Sequence, residues 1–102
     1  MYKYTVRLHV PQRRGRVHLR LANPDITRNS VIHISVSEAR PLGGIFGAAF
    51  NRIFGSASIT VQNITPSDGE VNFYVLVDWP QPLDIAADIS IFDPTDNIVY
   101  GR

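Results

Sequence analysis

The chain has 102 residues, 44% of them hydrophobic and 19% charged, with no cysteine and a net charge of +1. Apolar content of that order repays the ordering entropy of one small domain, 1–102, so intrinsic disorder is excluded. No apolar run reaches the ~18 residues of a membrane-spanning helix, and the lack of cysteine removes disulfides, thiol chemistry and thiolate zinc sites. The first residues, Met1 to Arg7, lack the basic start, apolar middle and cleavage site of a secretory signal, so a cytoplasmic location is the expectation.

Residues 2–10 alternate Tyr2, Tyr4, Val6, Leu8 and Val10 with Lys3, Thr5, Arg7 and His9, the two-residue period of a strand with one buried face. Residues 16–22 repeat the pattern, with Val17, Leu19 and Leu21 inward and Arg16, His18 and Arg20 outward. The intervening Pro11-Gln12-Arg13-Arg14-Gly15 reads as a turn, which predicts a hairpin with His9 beside His18 and Arg7 beside Arg20. After the turn Asn23-Pro24-Asp25, further strands are expected over 30–37, 56–63, 71–77, 83–92 and 98–100. Seven short strands in one chain predict an all-β antiparallel sandwich, immunoglobulin-like or jelly-roll-like.

The stretch from Ile59 to Phe73 joins an alternating strand, an acidic turn at Pro66-Ser67-Asp68-Gly69 and an aromatic residue early in the next strand. It resembles the corner between strands E and F of immunoglobulin-like domains. That resemblance covers about 15 residues, favours a sandwich and has no function attached. The paired cysteines of that family are absent, and Trp79 follows the strand instead of lying on an earlier one.

Residues 41–55 break the alternation. On a helical wheel Ile45, Phe46, Ala49, Phe50, Ile53 and Phe54 share one half, with Gly47, Ala48, Asn51 and Arg52 on the other. The pattern predicts a short amphipathic helix around 42–54, opened by Gly43-Gly44 and closed by Gly55. Its Phe-, Ile- and Gly-rich composition resembles that of membrane-active segments such as viral fusion peptides. Capping of the core and contact with a partner protein are the other readings, and one arginine is poor provision for anionic lipid.

Charge is divided along the chain. Residues 1–52 carry nine cations against two carboxylates, a balance of +7, whereas residues 53–102 carry one against seven, −6. Eight of the first nine cations are arginine, which suits bidentate contact with carboxylate or phosphate. Two charged faces pairing within or between copies is one reading. The other is an anion-binding stripe on the hairpin, made of Arg7, Arg13, Arg14, Arg16 and Arg20.

Facing His9 and His18, with His33 nearby, present a possible zinc or copper site, although the neighbouring arginines would repel a cation. The same pair beside arginine also fits acid–base chemistry on a phosphodiester. Asp84, Asp88, Asp93, Asp96 and Asn97 supply oxygens suited to calcium without matching a calcium-loop spacing. Trp79 with Tyr74 suits sugar stacking, or a half-buried anchor at a strand end. No phosphate loop, nucleophile elbow or cofactor motif is found.

These readings converge on a non-enzymatic module that self-associates or docks on a protein partner. Its interaction residues would be Ile45, Phe46, Phe50, Ile53 and Phe54, aided by complementary charge. Binding of an anionic polymer, nucleic acid or sulfated glycan, by the arginine stripe is the alternative. A membrane surface and a histidine-dependent phosphodiesterase stand further back.

Overall fold

A computed structural model describes residues 1–41 and 50–101. Seven antiparallel strands are found among them: β1 (Tyr2–Arg13), β2 (Gly15–Ala22), β3 (Ser30–Pro41), β4 (Phe50–Ile53), β5 (Ser58–Ser67), β6 (Glu70–Asp78) and β7 (Leu83–Pro94). They form a four-stranded sheet in the order β1-β7-β3-β4 and a three-stranded sheet in the order β2-β6-β5, one of the two curled as a half-barrel.

The core lies between the sheets and follows the two-residue period closely. Val71, Phe73, Val75 and Val77 of β6 face Ile85, Ala87, Ile89 and Ile91 of β7, and all eight are within 1% of complete burial. β6 is the central strand of its sheet, and β7 is one of the two inner strands of the other. The flanking strands bury less: Tyr4 and Leu8 of β1, Val17 and Leu21 of β2, Ile32, Ile34 and Val36 of β3, and Ile59, Val61 and Ile64 of β5 pack on the core while only partly covered. One end of the core is closed by the loop after β2. Asn23 Oδ1 accepts from the Asp25 amide at 2.8 Å, an Asx turn that swings Ile26 inward to 1% exposure. Ile26 O then accepts from Gly69 N at 2.8 Å, and Asn23 N donates to Gly69 O at 2.9 Å, fastening this loop to the β5–β6 turn.

Three expectations are corrected. β1 and β2 are no hairpin: β1 pairs with β7, Leu8 opposite Ala87, and β2 pairs with β6, Leu19 opposite Phe73. Gln12 (φ 51°) and Gly15 (φ 72°) turn the chain out of one sheet and into the other. Alternation sets which face a side chain takes but not which strand lies beside it, and the two most apolar strands take the central places.

The helix expected around 42–54 is absent over Phe50–Ile53, which is β4, paired with β3 from Pro41 opposite Phe50 to Glu38 opposite Ile53. Extended geometry points Arg52 towards hydrogen-bonding partners that a helix would deny it. Ile45, Phe46 and the rest of 42–49 lie outside the described residues. Ile98–Tyr100 is not a strand, since β7 continues unbroken to Pro94. The stretch likened to an E–F corner differs from one in that Ser67–Glu70 is a tight turn within one sheet, with Gly69 at φ 87°.

Candidate functional site

Splitting β1 from β2 disperses the residues expected to act together. On the outer face of the four-stranded sheet, Arg7 grips Asp88 with both ends of its guanidinium, Nε–Oδ1 at 2.6 Å and Nη2–Oδ2 at 2.9 Å. Arg52 reaches the same carboxylate from β4, Nη1–Oδ2 at 2.9 Å, and donates to Ser37 Oγ at 2.6 Å and Ser35 Oγ at 2.9 Å on the way. One network thus crosses β1, β7, β3 and β4. The hydrogen bonds from Arg7, with those of Arg52 behind them, hold the Asp88 carboxyl at a pKa of about 2, against the desolvation that would raise it.

Next to this network the His9 ring lies 4.1 Å from the Phe50 ring, above the fully buried Ala86, which is opposite His9 in the register. His9 Nε2 is buried and has no hydrogen-bond partner among the described residues. His33 instead packs on Phe92, centroids 4.8 Å apart.

The outer face of the three-stranded sheet carries the rest of the presumed stripe. Arg20 pairs with Glu70, which lowers the Glu70 pKa, and Asn72 Nδ2 adds a second donor at 2.9 Å. His18 Nε2 meets Asn72 Oδ1 at 2.8 Å. Arg16 lies over the Tyr74 ring at 3.9 Å, a cation–π contact. Arg13 bonds to Pro11 O at the turn.

Of the five arginines expected to bind anions, Arg7 and Arg20 are therefore committed to carboxylates, and they sit on different sheets. His9 and His18 likewise face outward from different sheets, so the paired imidazoles required for metal binding or acid–base work do not form. No group of three metal-ligating side chains occurs among the described residues. Three of the four carboxylates suited to calcium have other partners. Asp84 Oδ1 accepts from Gln12 N and Nε2 at 2.9 and 3.0 Å, Asp88 holds its two arginines, and Asp93 pairs with the N-terminus and Lys3. Some opposite charges of the two halves thus meet within the molecule, across the neighbouring pairs β1–β7 and β2–β6 and, from Arg52, over β3 to β7.

The segment expected to be interactive divides three ways. Phe50 is half-buried against His9, Ile53 is half-buried at the sheet edge, and Phe54 is fully exposed. Phe54 and Ile53 line a cleft of about 150 Å³ with Val36, Ala57, Ile59 and the Glu38 side chain. Other large apolar side chains in solvent are Ile98 (72%), Val99 (84%) and Tyr100 (91%), while Trp79 at the end of β6 is 37% exposed. Asp88 and Tyr74, read from the sequence as a calcium oxygen and a sugar-stacking ring, are instead partners of arginines. The available signal was their outward position on a strand next to outward arginines.

No protein family matches the chain, and no curated protein or solved structure matches it.

Proposed function

We propose that this domain is a non-enzymatic interaction module that self-associates or docks on a protein partner. Its two sheets are read as a jelly-roll-like sandwich, because first strand with last and second with next-to-last is the nested pairing of a doubled-over hairpin. The observation that carries the function is the placement of apolar side chains. Phe54 and Ile98-Val99-Tyr100 lie in solvent, whereas several of the charged groups neutralise each other within the chain. Each fully solvated large apolar side chain forgoes about 1.5–3 kcal/mol of burial that a partner surface would supply. Apolar contact thus replaces complementary charge as the main term in the association. Phe54→Asp is expected to leave the thermal midpoint unchanged, since Phe54 contributes nothing to the core, and to lower the average mass in static light scattering. An unchanged mass would remove Phe54 from the interface.

Binding of an anionic polymer is the second reading, and Arg16 favours it. This arginine is stacked on Tyr74 with no carboxylate partner among the described residues, next to the exposed Arg13-Arg14 turn. Arg14→Glu with Arg16→Glu should then abolish a salt-sensitive retention on heparin. Retention equal to that of the unmodified chain would eliminate this reading.

A further inference from the structure

β1 is the longest unpartnered edge of the described structure. Tyr4 to Val10 form a seven-residue ladder with Ile91 to Ile85 of β7, and no described strand pairs with the other side of β1. β2, the next strand in the chain, belongs to the other sheet, and the backbones of the two run further apart than those of β3 and β5. A wedge is left between them, apex at the Gln12–Gly15 turn. Its far end is clasped by Tyr4 Oη, which donates to Asn23 Oδ1 at 3.0 Å and Asp25 Oδ2 at 2.7 Å. Leu8 on one wall and Val17 and Leu21 on the other remain partly exposed. On the opposite side of the molecule β3 and β5 do pack against each other across the sheets, so the β1 side is the open one.

The same structure holds a segment suited to this edge. Residues 95–101 leave β7 without strand partners, and Ile98, Val99 and Tyr100 are almost wholly in solvent despite β-forming side chains. The tail cannot serve its own β1. It would have to reverse after Pro94 and run parallel to β1, and parallel neighbours need a crossover of about a dozen residues where only three separate Pro94 from Ile98. A second copy has no such constraint and can present its tail antiparallel.

Charge selects the same direction. A register that sets Ile98 against Val10 and Tyr100 against Leu8 puts both on the inward face of β1 and carries Asp96 past the bulge after Val10, towards the Arg13-Arg14 turn. Asp96 has no ion-pair partner among the described residues. We infer that residues 96–100 of a second copy add as an antiparallel strand to the free edge of β1, and that the exchange is reciprocal and closes a twofold dimer.

This inference rests on the self-association reading and specifies where it occurs. Sedimentation equilibrium of the full chain should give a dimer. Val99→Pro removes an amide from the added strand and should yield monomer with unchanged far-ultraviolet circular dichroism, because Val99 supports no other contact. Asp96→Arg should weaken the dimer about tenfold, and Arg13→Glu with Arg14→Glu in the same chain should restore it. The alternate amides of Tyr4–Val10 that face away from β7 should lose hydrogen-exchange protection in Val99→Pro, whereas those bonded to β7 keep it. A dimer that survives Val99→Pro but dissociates in Phe54→Asp overturns strand exchange and leaves the interaction reading in place. A wild-type chain that stays monomeric at every accessible concentration overturns both self-association and strand exchange.

Discussion

Replacing Phe73 by alanine should cost about 3–5 kcal/mol, whereas the same change at its neighbour Tyr74 should cost about 1. Phe73 heads the residues that are fully buried by size, at 1% exposure, and faces the core from the central strand of its sheet. Its loss leaves a cavity walled by strands that cannot collapse without breaking their ladders. Tyr74 points the other way and forfeits its contacts with Arg16 and His18. A domain of this size has a net stability of order 5–15 kcal/mol, so Phe73→Ala brings the chain near the limit of folding. Urea denaturation midpoints read both effects. Equal costs at the two positions would mean that β6 does not separate an inner from an outer face.

That separation was legible from residues alone. The alternation of Val71, Phe73, Val75 and Val77 against Asn72, Tyr74, Leu76 and Asp78 needs only the pleat of a strand, and the structure buries the first set. Partner choice was not legible. Val6, Leu8 and Val10 present the same period to β2 as to β7, and nothing local favours the sequence-distant neighbour. The expected number of strands agrees with the observed number through two compensating changes. Ile98–Tyr100 is apolar enough to be read as a strand and has no edge of its own to reach, while β4 was hidden in a segment read as a helix. Four residues such as Phe50-Asn51-Arg52-Ile53 carry too little period to separate the two geometries.

The charge division shows the same boundary between what composition reveals and what pairing decides. A surplus of arginine in one half and of carboxylates in the other was visible, but its destination was open. Strands β1 and β4 carry arginines from the first half, and β7, from the second half, lies between them and inserts Asp88 between Arg7 and Arg52. Residues 81 and 36 positions apart meet because the last strand occupies the middle of its sheet. The same placement prevents a continuous arginine stripe, because Arg7 and Arg20 find an acid, and Arg16 an aromatic ring, on the strand beside them.

Asp88→Asn should therefore destabilise the domain by more than an ordinary surface ion pair does, by about 2 kcal/mol at neutral pH. The side chain is 20% exposed and accepts from two guanidinium groups, and its amide replacement leaves both cations uncompensated on one face. The pH dependence gives a separate check. A carboxyl lowered from 3.8 to about 2 in the folded chain binds its proton more weakly there than when unfolded. The unfolded state thus takes up the proton first as the solution is acidified. The stabilisation is fully present above about pH 4 and is lost as pH falls through 2. At about 1.4 kcal/mol per unit, and discounted for solvent screening, it amounts to about 1–2 kcal/mol. Denaturation curves at pH 7 and pH 2 should accordingly show the gap between wild type and Asp88→Asn narrowing in acid, with Arg7→Ala behaving in the same way. A gap that stays constant over this interval would mean that the loss came from packing around β7 and not from the charge of Asp88.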